Sequence, residues 1–213
     1  DPEAADNIEI GVRYANDTSS LQAIYYNTDY ANMFGECRAA SSGVVAGCTI
    51  GDTFNAGNAT ISGVELSYNS SWQSAGGNQM TAQMAYTLTN AEFDTTFDSD
   101  FWGSVTKGMD IPNTPSSQLA LVLGTDFQNG WSADARALYY GSTCSVAACS
   151  EFTNIDSNIS IDLSAQYEIN DKADVYFIVE NFFDSEDIVA RAPKNGIRTQ
   201  RPRSFMIGVR YKL

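Results

Sequence analysis

The last ten residues, Ser204–Leu213, read SFMIGVRYKL and repeat with a period of two. Phe205, Ile207, Val209, Tyr211 and Leu213 make one apolar face, while Ser204, Met206, Gly208, Arg210 and Lys212 make a mostly polar or small one. Such alternation belongs to a β-strand, whose successive side chains point to opposite faces. Ten residues at roughly 3.3 Å each, tilted by about 40°, rise about 25 Å, the height of the apolar band on an outer-membrane barrel. The segment predicts a membrane-spanning β-strand.

The pattern recurs upstream. Ile159, Ile161, Leu163, Ala165, Tyr167 and Ile169 alternate with Asn158, Ser160, Asp162, Ser164, Gln166 and Glu168. Shorter matches begin at Ile8, Leu21, Val64, Met80, Leu119, Trp131 and Val175, which brings the expectation to about nine strands. Their connections alternate in length. Residues 16–20, 74–78, 128–130 and 170–172 are tight turns rich in Asn, Asp, Gly and Ser. Residues 34–57, 98–116, 144–157 and 184–203 are long, matching the short periplasmic turns and long extracellular loops of transmembrane barrels. A soluble antiparallel sandwich also gives alternating strands. Against it stand the strand lengths and the Tyr, Phe and Trp residues at the ends of the apolar faces, which suit interfacial girdles.

Composition bounds the partners. No apolar run reaches the roughly 18 residues of a transmembrane helix, so any membrane span is a strand. The net charge of −14, from 26 acidic and 12 basic residues, argues against nucleic acid, which demands a positive field. Seven of those basic residues fall between Arg191 and Lys212, where no acid occurs. Four cysteines without a histidine disfavour zinc patterns and fit an oxidising compartment. The lack of histidine also removes the commonest general base; no nucleophile–base pair stands out, and neither an enzyme nor a bound cofactor is expected. The chain opens at Asp1 without a leader segment, so an exported protein is expected to have been processed or shortened.

The stretch IVARAPKNGIRTQRPRSFMIGVRYKL, residues 188–213, resembles the end of TonB-dependent outer-membrane receptors of the siderophore and ferric-citrate type, in which a basic loop leads through Pro-Arg into the last strand. ADVYFIVENFFDSEDIVA just before it looks like the penultimate strand of that family, with Glu180, Asn181, Phe182, Phe183 and Asp184 as its closing motif. IPNTPSSQLALVLG, TISGVELSYNSSW, NIEIGVRY and LQAIYYNTDY are similar to earlier strands, so the resemblance covers nearly the whole chain. It departs at Leu213, where the family usually ends in Phe.

The resemblance implies an all-β fold: an antiparallel transmembrane β-barrel in the cell outer membrane, in which residues 1–213 supply about nine C-terminal strands of a plugged barrel of about 22. The plug, the energy-coupling segment and about thirteen earlier strands are then expected to precede Asp1, on that strand count. The implied activity is active uptake of a scarce, bulky solute, foremost a ferric siderophore or other ferric chelate. The implied partners are the plug and remaining strands, TonB through the N-terminal part, the barrel assembly machinery, and outer-membrane lipids including lipopolysaccharide. A passive porin and a structural or adhesive barrel are the alternatives.

Several residues are candidates for function. Cys37 and Cys48 fall in one long loop, and Cys144 and Cys149 in another; two local disulfides are the simplest of three pairings, and cross-links between the loops are the alternative. Arg191, Lys194, Arg198, Arg201 and Arg203 form a basic loop whose guanidinium groups suit the carboxylates of an anionic ferric chelate; the alternative is that they pair with lipopolysaccharide phosphates or with neighbouring acidic loops. Trp102, with Asp94, Asp98, Asp100, Phe97 and Phe101, marks a loop able to stack on a ligand, or a solvated loop with packed aromatics. No metal site is expected, since these acids lack regular ligand spacing. Glu9, Arg13, Glu65, Asp134, Arg136, Asp162, Asp174, Glu180, Arg210 and Lys212 are expected on the inward face as a mixed-charge lining. Phe205, Ile207, Val209, Tyr211 and Leu213 are the expected membrane face and assembly signal of the closing strand.

Overall fold

The computed structural model describes residues 2–36, 49, 51–55, 57–99, 102–191 and 196–212; Cys37, Cys48, Asp100, Phe101, Lys194 and Leu213 lie outside these. Nine long strands dominate it: β1 (Ala4–Ala15), β2 (Ser19–Ala31), β5 (Ala59–Gln73), β6 (Gln79–Phe93), β9 (Ser117–Asp126), β10 (Trp131–Tyr140), β13 (Asn158–Asn170), β14 (Ala173–Glu180) and β17 (Ser204–Tyr211). They form one antiparallel meander in the order β1-β2-β5-β6-β9-β10-β13-β14-β17. Each long connection carries a small hairpin of its own that alternation does not reveal: β3 (Phe34–Glu36) with β4 (Thr53–Asn55), β7 (Phe97–Ser99) with β8 (Gly103–Val105), β11 (Thr143–Cys144) with β12 (Asn154–Ile155), and β15 (Ile188–Ala190) with β16 (Arg198–Thr199).

Register keeps the apolar face in line across the whole sheet. Leu121 stands opposite Ala137 and Ala137 opposite Ile161; farther along, Ala165 faces Phe177 and Phe177 faces Ile207. A slip of one residue would turn each strand inside out, so this continuity fixes the pairing. Among the described residues no second layer covers the face. Ile10 is 71% exposed and Ile207 68%, whereas the only buried hydrophobic cluster among the described residues lies in the loops. A sandwich would have buried this face; its place is against lipid. Tyr14, Trp72, Trp131, Tyr167 and Tyr211 collect at its tight-turn end, and the rings of Trp131 and Tyr167 pack 4.9 Å apart. Toward the loops the same face becomes polar, through the opposed residues Asp6, Asp29, Thr60 and Glu92.

The inward face is polar with local close packing. Tyr26 crosses above Gly63 to reach Thr89 on the second strand over, Oη to Oγ1 at 3.1 Å. A Cβ at Gly63 would stand 2.6 Å from that hydroxyl, so the crossing requires glycine. Gly208 in the closing strand is likewise covered by the ring of its partner Tyr176. The tight turns follow from their residues. Asn16 Oδ1 accepts from the backbone N–H of Thr18 at 3.0 Å and of Ser19 at 2.8 Å, replacing ladder bonds lost at the turn. β17 ends at Tyr211, because its partner β14 begins at Ala173 and the 170–172 turn offers one last acceptor, the carbonyl of Lys172 for Lys212 N–H.

Candidate functional site

The loop end holds the only packed core among the described residues, and it joins three loops. Phe93, Val105, Ala59 and Ala147 are buried there, with Tyr30, Met33, Phe97, Trp102, Met109 and Ile111 packed around them. Phe93 is the centre: its ring lies 5.4 Å from Phe97, edge-on, and 5.2 Å from Trp102. Trp102 therefore sits in a packed aromatic group at the loop base. Its carbonyl accepts from Ala147 N–H at 3.0 Å, which ties it to the loop after β10. That loop is closed by the Cys144–Cys149 disulfide, with Cα atoms 5.6 Å apart. The bond is local, so neither of these two cysteines cross-links to another loop. Asn113 N–H to Cys144 O, 2.8 Å, fastens the same hairpin to the segment before β9.

The last long loop is clasped at its base by the motif that ends β14. Asn181 is buried and adopts φ 48°, the left-handed region that asparagine tolerates better than most residues. Its Nδ2 donates to the carbonyls of Ser185 (2.9 Å) and Arg201 (2.8 Å), and its Oδ1 accepts from Ser185 N–H (3.0 Å). Its own N–H donates to Asp162 on the inward face, 2.9 Å. Asp184, at φ 57°, receives Arg203 N–H at 2.9 Å and the Arg203 guanidinium at 3.5 Å. One asparagine and one aspartate thus bring the outgoing and returning chains together. Reading Glu180–Asp184 as a motif located these residues; their bonds were beyond sequence reasoning.

The basic residues separate by position. Arg191 Nε donates to the carbonyl of Asn154 at 2.9 Å, pinning the last loop to the disulfide hairpin. Arg203 is engaged in the clasp. Arg198 and Arg201 are exposed and carry no side-chain bond among the described residues. On the inward face Arg136 is opposite Asp162, Glu65 opposite Thr87 and Ile24, and Asp134 opposite Ser164, whose Oγ lies 3.4 Å away. Arg210 approaches Asp174 at 3.8 Å; Asp174 is buried, and its second carboxylate oxygen has no partner. The described residues contain no cluster of three or more His, Cys, Asp or Glu side chains fit for a metal.

Two cavities open at the junction of strands and loops. One of about 250 Å³ lies between Asn90, Asp110 and the disulfide loop at Cys144 and Cys149. The other, of about 260 Å³, is floored by the opposed inward residues Tyr140 and Asn158, walled by Asn113 and Thr143, and roofed by Val189 and Ala190 of the last loop. Sequence reasoning missed this second one, because its residues come from four separate segments.

Known proteins share this architecture. Residues 1–182 match the family model for the TonB-dependent receptor-like β-barrel. No curated protein matches the chain. Among solved structures, the siderophore receptor PiuA of Acinetobacter baumannii superposes with a TM-score of 0.77 at 19% identity, over 97% of this chain and 28% of that one. The ferric-catecholate import receptor Fiu of E. coli K12 gives 0.74 at 21%, over 99% and 28%. The ferric yersiniabactin uptake receptor FyuA of Yersinia pestis gives 0.72 at 18%, over 98% and 30%. The chain therefore spans less than a third of the length of these receptors, and at such identity the likeness concerns the fold. Its strands, register and family match agree: the chain belongs to the TonB-dependent receptor-like β-barrel family, whose members are transport receptors of the outer membrane and not enzymes.

Proposed function

We propose that residues 1–213 form the C-terminal nine strands of a receptor that takes up a ferric chelate, a siderophore foremost, by TonB-coupled active transport. The observation that carries this reading is the open nine-stranded sheet of the receptor family, apolar outside and mixed-charge inside. Unpaired strand edges are not tolerated in lipid, so β1 and β17 call for neighbouring strands, and a charged inner wall calls for a plug to meet it. PiuA, Fiu and FyuA are receptors for siderophores or ferric chelates, which makes iron the first cargo to test. In this reading TonB engages the N-terminal part, the assembly machinery reads the end of β17, and lipopolysaccharide borders the outward polar row. Arg198 and Arg201, exposed on the last loop, are the side chains best placed to meet an anionic chelate.

The test is growth of a deletion strain under iron limitation on a panel of ferric chelates. Loss of growth on one chelate, restored by the complete receptor and weakened by the Arg198→Ala/Arg201→Ala double variant, is the expected result. Normal growth on every chelate sinks the iron assignment, and restoration in a strain lacking TonB points to a passive pore.

A further inference from the structure

Among the described residues β17 is the one long strand that no tight turn borders; its link to β14 is the whole of residues 181–203. Turn geometry therefore does little to set its pairing, and the side chains must do so. The apolar alternation rules out a slip of one residue, which would reverse the faces of the strand. A slip of two is different. It keeps Phe205, Ile207, Val209 and Tyr211 on the outward side, with Phe177 opposite Val209 or Phe205 in place of Ile207. The outward face cannot distinguish registers two residues apart.

The inward face can. Asp174 is only 6% exposed, its Oδ2 lies 3.8 Å from Arg210 Nη1, and its Oδ1 has no hydrogen-bond partner among the described residues. Two positions along, the ring of Tyr176 covers Gly208, where a Cβ would collide with it, and the Arg210 guanidinium stands 6.0 Å from the centre of that ring. Toward the loops, Ser204 Oγ donates to Glu180 Oε2 at 3.0 Å. Either slip of two breaks this set. In one direction Arg210 comes under the Tyr176 ring in place of glycine, and Met206 faces Glu180. In the other, Met206 comes under the ring and Gly208 faces Asp174, so the buried carboxylate loses its cation. A buried charge pair adds little net stability, because desolvation offsets its attraction, yet an arrangement that leaves one member alone is strongly disfavoured. We infer that the inward pairs Asp174–Arg210 and Tyr176–Gly208 fix the register of the closing strand, which its lipid-facing residues leave open. This device involves two strands only and is independent of the transported solute.

The test uses the complete receptor assembled in its membrane, with cysteine pairs on the outward face, where they leave the inward pairs untouched. Phe177→Cys is combined in turn with Phe205→Cys, Ile207→Cys and Val209→Cys, oxidised with copper phenanthroline, and the joined peptides are quantified after trypsin digestion. With the inward face unaltered, the bond between positions 177 and 207 is expected to exceed each of the other two at least tenfold. With Asp174→Ala and Tyr176→Ala both present, at least one shifted bond is expected to rise to within threefold of it. Exchanging the pair, Tyr176→Gly with Gly208→Tyr, is expected to restore the single bond, since directly opposed residues of an antiparallel pair are related by a local two-fold axis. Asn181→Ala, which opens the clasp at the loop base, is expected to leave the bond at 207 dominant. A double alanine variant that still forms that bond alone, or an Asn181→Ala variant that mixes the registers by itself, overturns the inference. Should the double alanine variant fail to assemble, the exchanged pair decides: assembly with the single bond upholds the inference, and failed assembly or mixed bonds overturn it.

Discussion

At the scale of single residues, the loop end depends on side chains that replace ladder bonds. Asn181 makes three side-chain bonds from a buried position in a backbone conformation that alanine adopts poorly. Asn181→Ala leaves the Ser185 and Arg201 carbonyls without their donor, at a cost of about 2 kcal/mol or more. That cost falls on the loop base and not on the sheet. Limited trypsin digestion of the complete receptor is therefore expected to cut after Arg198 faster in the variant, with barrel strands protected as before; equal cutting rates would show that the clasp holds nothing. The sequence made the Glu180–Asp184 motif visible. Its meaning was not legible, because a motif of this kind acts through carbonyls 4 and 20 residues away that only the closed loop brings near.

At the scale of elements, alternation predicted all nine long strands and their tight turns, since a strand facing lipid on one side and polar groups on the other must repeat every second residue. It did not predict the hairpins inside the loops, whose strands of 2 or 3 residues are too short to show a period. Nor did it separate the arginines into those that staple the loop and those left exposed. The faces of β17 differ in a measurable way. Ile207 points outward at mid-strand and its neighbour Met206 inward. Ile207→Arg is expected to cost about 2–4 kcal/mol of barrel stability in a bilayer, and Met206→Arg far less. Urea titration of receptors folded into vesicles gives both values; equal losses would mean that the outward face does not meet hydrocarbon.

At the scale of the molecule, the described residues give the sheet no core of its own between layers. Its stability comes from ladder hydrogen bonds, inward packing such as Tyr26 over Gly63, and lipid against the apolar face, while the loops build a separate aromatic core around Phe93. The central claim is that one face of all nine strands meets lipid and the other a lumen. It is tested most directly by placing a spin label, one position at a time in the complete membrane-embedded receptor, along a row that crosses the sheet, and measuring its collision rate with oxygen, which concentrates in lipid. High rates at Leu121, Ala137, Ile161, Phe177 and Ile207, falling at the inward neighbours Ala120, Leu138, Ser160, Ile178 and Met206, are the predicted result; rates that do not alternate, or alternate in the opposite sense, would contradict the account.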